Sequence, residues 1–301
     1  MTIEEPPASF WYCCCFGFSR FAIKKEENST SIAIRNGRVV FVMKSTHNES
    51  DLENSHQMST HGDAVKDVAF HVDNIDAIEE VPQCHLQRLI RKNVEILLPK
   101  TTFEDKHGSV TVLKLQSNNE HFYVMSIDDK ITTSEFSAMK AWLITNEDQK
   151  VQMTLAEAVL GRKGRSQIEE FVSYNGGPGI QHIALLVDDI VETVTEMRKR
   201  SVEFLHVPSS YYDMLEERLK SSKVELKEDM AKLRKLCILM DFDDNGYLLQ
   251  LFTKPVQDRP TLFIEIIQRR NFNGFGAGNF KALFDAVERE QKLRGTLYVE
   301  N

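Results

Sequence analysis

The chain has 301 residues, 42% hydrophobic and 27% charged, with a net charge of −8 and a pI of about 5.7. That length can bury a large core and form two or more domains, and the acidic balance weighs against nucleic acid or an anionic membrane as a general partner. No apolar run approaches the ~18–20 residues that span a bilayer, so no membrane span is expected.

The chain opens with "MTIEEPPASFWYCCCFGF", acidic where a secretory signal is basic and interrupted by polar residues and glycine. This predicts a soluble, cytoplasmic protein. The five cysteines are Cys13, Cys14, Cys15, Cys84 and Cys237, and no CxxC pair occurs. Reduced thiols are the plain reading, with a palmitoylated or redox role for Cys13–Cys15 as the alternative. The basic "LGRKGR" (160–165) reads as a solvated loop.

The chain repeats itself. "GDAVKDVAFHVDNID" (62–76) aligns without a gap on "GPGIQHIALLVDDIV" (177–191), each an apolar strand followed by an acidic helix start. In the second copy Ile190, Val194 and Met197 recur at helical spacing. Downstream, "DKHGSVTVLKL" (105–115) resembles "DDNGYLLQLFT" (243–253), a glycine turn opening into an alternating strand, and "HFYVMS" (121–126) matches "LFIEII" (262–267). Strand, helix, then several strands predict a duplicated α+β architecture. Two of the differences between the copies bear on chemistry: His182 stands where the first copy has Asp67, and Glu265 where it has Val124. One copy reads as scaffold and the other as a site.

Histidine alone in an apolar strand is most often a core residue. Glu265 shifts the balance, because an ionised carboxylate among Phe263, Ile264, Ile266 and Ile267 is costly unless paired or bound to a metal. Its other reading is a pair with Arg269 or Arg270, although position i+4 on a strand lies about 13 Å away. Histidine plus carboxylate suits Fe(II), Mn(II) or Zn(II). Gln250 is a third inward polar candidate, balanced against an outward or edge position, while Gln181 and Gln167 are weaker. "GFGAGNF" (274–280) lacks GxGxxG spacing and a following βαβ unit. It predicts a glycine hinge, then a helix N-capped by Asn279 with Phe280, Leu283, Phe284 and Val287 on one face, able to lie across a pocket.

"SQIEEFVSYNGGPGIQHIALLVDDI", "VPSSYYDML", "GYLLQLFTKPVQDRPTLFIEIIQRR" and "GFGAGNFKALFDAVEREQKLRG" strongly resemble the 4-hydroxyphenylpyruvate dioxygenase family, densely from about 166 to 295 and more loosely over 8–115. The resemblance implies the vicinal oxygen chelate (glyoxalase-like) fold of tandem βαβββ modules. It implies two barrel-like halves, a scaffold at 1–125 and a metal- and substrate-binding half at 126–301, with a C-terminal lid helix. It implies one Fe(II) per subunit, with His182 as the second histidine ligand and Glu265 as the glutamate. Gln167, Gln181, Gln250, Phe252, Phe263, Phe275, Asn279 and Phe280 fall at substrate-pocket or lid positions. The implied activity converts 4-hydroxyphenylpyruvate and O2 to homogentisate and CO2 in tyrosine catabolism, in a homodimer; the substrate's own α-keto acid chelates the iron.

The sequence departs from the pattern. The opening strand and helix of the third module, with the family's first histidine ligand, are absent where the text passes from "LQSNNEHFYVM" to "SIDDKITTSEFSAMK", and so is the first strand of the first module. His121, nearest the junction, reads as a surface strand residue. Ala141 and Ala156 replace a serine and an asparagine that contact substrate in the family. A catalytically impaired or shortened member is therefore the alternative function. A zinc or nickel isomerase of the same broad fold explains His182 and Glu265 but not "FTKPVQDRP" or "GFGAGNF".

Overall fold

The computed structural model describes residues 7–46, 52–69, 94–105, 108–117, 139–145, 152–159, 164–272, 274 and 276–297. The described residues within Met1–Lys66 and Ala158–Asn301 form one compact unit, and those within Asp67–Lys130 and Met139–Glu157 form another.

The second unit has two short sheets. β4 (Val94–Asp105) and β5 (Gly108–Ser117) make an antiparallel hairpin closing at Asp105↔Gly108, where the glycine turn is expected, and β6 (Met139–Thr145) pairs with β7 (Gln152–Ala158). Ala141 lies on β6, and the exposed Ala156 lies on β7.

The first unit opens with α1 (Pro7–Phe16), then the antiparallel sheet β1 (Ser19–Lys25), β2 (Ser29–Asn36), β3 (Val39–Thr46), then α2 (Leu52–His61). The cysteine triplet sits in α1: Cys15 is buried, Cys14 is exposed, and both are free thiols. The strand expected at 62–76 does not form over 62–69, where Val68 is exposed and no ladder partner is present among the described residues. A strand without a partner leaves its backbone groups to water. Residues 70–76 and 121–126 lie outside the described residues.

The repeat's second copy forms as its pattern predicts. α3 (Gln167–Asn175) carries a capping box, the Ser166 side chain and Glu169 exchanging bonds with each other's backbone N–H groups. β8 (His182–Leu186) leads into α4 (Ile190–Lys199), whose N-cap Asp189 accepts from Glu192 N at 2.8 Å. Ile190, Val194 and Met197, three and four residues apart, are its buried stripe. Two further helices, α5 (Ser209–Lys220) and α6 (Met230–Leu236), precede β9 (Leu239–Phe242), β10 (Tyr247–Phe252) and β11 (Phe263–Arg270). A 3-10 turn (Ala277–Asn279) and α7 (Phe280–Arg294) close the chain.

The four strands lie in the order β8-β11-β10-β9, with β8 parallel to β11 and the other pairs antiparallel. This is the βαβββ order with two helices added to the crossover. The sheet is open rather than barrel-like, since closure requires a second ladder on β8 or β9, and among the described residues each pairs on one side only. The β9–β10 turn needs Gly246, where a Cβ would meet Arg270 O at 2.0 Å. One core joins the sheet's back face (Ile183, Leu185, Ile264, Ile266, Leu249, Leu251) to the α4 stripe, to Tyr12 and Phe16 of α1, and to Ile32 and Ile34 of β2.

Candidate active site

Register decides which side chains share the sheet's other face. His182 pairs with Phe263, Glu265 with Ala184 on one side and Phe252 on the other, and Gln250 with Ile267. Paired residues point the same way and neighbours along a strand alternate. His182, Phe263, Glu265, Phe252 and Gln250 therefore line one face. Gln250 is 2% exposed, which decides for the inward position.

His182 Nε2 lies 3.8 Å from Glu265 Oε2. The two do not face each other across a pocket, as they would in a closed barrel. They are neighbours on adjacent parallel strands, because the crossover returns the chain so that β11, the module's last strand, docks beside β8, its first. The imidazole stacks on Phe263 with centroids 4.8 Å apart and meets Phe252 edge-on. Its Nδ1 is 3.3 Å from Gln181 Oε1. A proton on Nδ1 donated there leaves the Nε2 lone pair toward Glu265.

Neither anticipated arginine forms a close ion pair with Glu265. Arg270 pairs with Glu228 at 3.2 Å. Arg269 donates to Phe272 O at 3.1 Å and to Gly274 O, and its charge lowers the Glu265 pKa, second to burial, which raises it. Burial raises that pKa from 4.5 to about 7. Burial also lowers the His182 pKa, although 33% of its side chain meets solvent, which places the ring at the rim of the site.

A neutral imidazole beside a carboxylate with no cation in direct contact is a donor set suited to a divalent metal. The 3.8 Å separation fits within the ~4.2 Å span of two ligands at about 2.1 Å each. Among the described residues no group of three His, Cys, Asp or Glu gathers to hold a metal. His121 lies outside the described residues.

The glycine hinge lies against the same face. A Cβ on Gly276, at φ +80, would come 2.4 Å from Gln250 Oε1, and one on Gly278 would come 2.1 Å from Asp241 Oδ1. Asp241 pairs with Leu248, two residues from Gln250, and so shares the site face; its Oδ2 accepts from Gly278 N at 3.0 Å. Phe280, Leu283 and Phe284 are buried along α7, as the helical face predicts. Asn279 holds the N-cap position without a side-chain capping bond, because its Oδ1 accepts from Tyr211 Oη at 2.8 Å. Phe275 lies outside the described residues. Gln167 is buried at the start of α3, a helix that touches α7, and so belongs to the lid side. Sequence reasoning passed over Tyr211 and Asp241. Asp241 carried the same signal as Glu265, an acid inside an apolar strand, and Tyr211 lay within "VPSSYYDML". A surface hollow lined by Arg198, Phe204, His206, Tyr212, Arg234 and Cys237 shares no residue with this face.

A βαβββ sheet presenting an imidazole and a carboxylate from adjacent strands defines a vicinal-oxygen-chelate protein. The family described as the Glyoxalase/Bleomycin resistance protein/Dioxygenase superfamily matches residues 120–251. The chain is 37% identical to 4-hydroxyphenylpyruvate dioxygenase of Caenorhabditis briggsae, covering 98% of this chain and 91% of that protein. It is 37% identical to the Danio rerio protein of that name, covering 97% and 89%. A Caenorhabditis elegans protein whose name carries no activity is 46% identical over 97% of this chain and 95% of its own. Among solved structures, a triple mutant of 4-hydroxymandelate synthase from Streptomyces coelicolor superposes with a TM-score of 0.75 at 25% identity, covering 96% of each chain. The chain belongs to the 4-hydroxyphenylpyruvate dioxygenase family. The aligned span with the Caenorhabditis elegans protein, 354 positions, exceeds the 301 residues of the chain, so more than fifty of those positions fall opposite gaps.

Proposed function

We propose that the His182–Glu265 face binds Fe(II), one per subunit, and an aromatic α-keto acid, and that the chain converts 4-hydroxyphenylpyruvate and O2 to homogentisate and CO2. The observation that carries this reading is the pair itself: a buried carboxylate with no arginine in ion-pair contact, 3.8 Å from an imidazole nitrogen. When bound, the metal supplies keto-acid chelation and oxygen activation. The protein's part is binding, orientation and exclusion of water. His182 and Glu265 present their lone pairs to the metal. Phe252 and Phe263 give the substrate ring apolar walls, and Gln181, Gln250 and Asn279 offer polar contacts. Gln167 and Phe280 complete the pocket from the lid side. A cytoplasmic homodimer belongs to the same reading, and the scaffold role of 1–125 beside a site-bearing 126–301 rests on Asp67 and Val124 standing where His182 and Glu265 stand.

The second reading is a family member that binds these ligands but turns over slowly. The gaps in the alignment favour it, together with the missing first histidine and with Ala141 and Ala156 in place of polar residues. The test adds Fe(II), ascorbate and 4-hydroxyphenylpyruvate to the purified chain and follows oxygen uptake and homogentisate, beside His182→Ala and Glu265→Ala. Homogentisate above the variants' level supports the first reading. Keto-acid binding that needs His182 and Glu265, without oxygen uptake, supports the second. No metal-dependent binding overturns both.

A further inference from the structure

We propose that Tyr211 is a positioning residue for ligand capture, its single hydroxyl proton deciding which end of the Asn279 amide faces the pocket. This rests on the reading that the His182–Glu265 face is the ligand site. Tyr211 rises from the first turn of α5 and is buried. Its hydroxyl accepts from Met240 N at 2.8 Å, and it lies 3.0 Å from Met240 O and 2.8 Å from Asn279 Oδ1. A phenol has one proton, so it serves one of those two acceptors at a time. Given to Asn279, the proton holds Oδ1 toward the tyrosine and turns Nδ2 away. That nitrogen is enclosed and has no partner among the described residues. Given to Met240 O instead, the amide turns over, Nδ2 donates to the tyrosine oxygen, and Oδ1 becomes the unmatched atom. In both cases one end of a fully buried amide stays open, and Tyr211 selects which.

A second unmatched atom flanks the same hinge. Gln250 Oε1 is enclosed without a partner among the described residues, against Gly276. Buried polar atoms are nearly always satisfied, so two of them beside one glycine hinge point to a ligand oxygen that completes them. Tyr211 is suited to hold this arrangement, because its anchor is the β9 backbone. Met240 pairs there with Leu249 in the sheet, so the tether ties the N-terminal end of α7 to the sheet backbone. The "VPSSYYDML" motif thereby acquires a role that its distance along the chain from His182 and Glu265 conceals.

The test measures 4-hydroxyphenylpyruvate binding by calorimetry, anaerobically with Fe(II), for the unaltered protein, Tyr211→Phe, Asn279→Ala and the double variant. Each single variant is expected to weaken binding about tenfold, the scale of one hydrogen bond to a charged or polar ligand. Because Tyr211 acts through Asn279, Tyr211→Phe should add less than about twofold in the Asn279→Ala background. Equal losses in both backgrounds, or none, overturn the proposal and leave Tyr211 a structural residue. A ligand-free arm follows hydrogen exchange of residues 276–279, expected to quicken at least about fivefold in Tyr211→Phe and no further in the double variant. Unchanged exchange there overturns the tether itself. If the unaltered protein binds no keto acid while exchange behaves as expected, the functional reading falls and the tether stands.

Discussion

Replacing Glu265 by glutamine should stabilise the metal-free protein at alkaline pH. The carboxyl is 8% exposed, and burial places its folded pKa at about 7 against an ordinary 4.5. Below pH 4.5 both folded and unfolded chains carry the proton, and Glu265 costs nothing. As pH rises from 4.5 to 7 the unfolded chain ionises first, so folding loses stability throughout that window. Above pH 7 the loss levels off at about 3 kcal/mol, the free-energy equivalent of that pKa gap. Glutamine keeps the shape without the charge. Urea unfolding in EDTA should therefore show Glu265→Gln about 2–3 kcal/mol more stable than the unaltered protein at pH 8, and equal to it near pH 4.5. His182 acts in the opposite direction: its lowered pKa lets the unfolded chain take up a proton first as pH falls below about 6.5, but that contribution is common to both proteins and drops out of the difference. Adding a divalent metal at pH 8 should reverse the order, because only the unaltered protein gains, by about 4.1 kcal/mol at a thousand times the dissociation constant. A glutamine variant less stable than its parent at pH 8 in EDTA would falsify the argument, since the carboxylate would then already have a partner within the protein.

Other substitutions probe the elements that build the site. Gly278→Ala places a methyl group where Asp241 Oδ1 now sits, and should cost about 1–3 kcal/mol of thermal stability together with a loss of keto-acid affinity; unchanged values of both would mean the hinge does not touch the sheet. Ser166→Ala removes the capping box of α3 and should cost about 0.5–2 kcal/mol in urea, with metal affinity unaltered. Phe284→Ala, at a position 1% exposed on α7, should cost about 3–5 kcal/mol; a loss below about 1 kcal/mol would place the helix off the core.

Much of the second half was legible because its signals are local. The apolar strand carrying His182, the helical spacing of Ile190, Val194 and Met197, and the glycine turn before Tyr247 each fix an element through nearest neighbours along the chain. Glu265 was legible for a thermodynamic reason, a charge where burial forbids one. What escaped depends on pairing between distant strands. The sequence marks β8 and β11 as the first and last strands of a module, but only the parallel register makes His182 and Glu265 neighbours rather than opposite walls. The same limit hid Tyr211, whose partners are 29 and 68 positions away along the chain. The first copy of the repeat shows the converse error. Residues 62–69 have a strand's pattern but not a strand's hydrogen bonds, because a ladder needs a second strand.

The edge position of β8 makes the site's rigidity depend on its occupancy. Among the described residues, this five-residue strand is hydrogen-bonded only to β11, and Leu186 at its end is 69% exposed. Glu265 sits on an inner strand bonded on both sides, while His182 begins a strand bonded, among the described residues, on one side only. A single ion gripped by both would act as a rivet between a loose plank and a fixed one. Each opening of β8 would then have to break a metal–nitrogen bond, so part of the binding free energy is spent holding the strand down, and weaker docking of β8 must lower metal affinity by the same factor. The docking of one short strand would then share with the chemistry of its ligands in setting how tightly such a site could hold an ion.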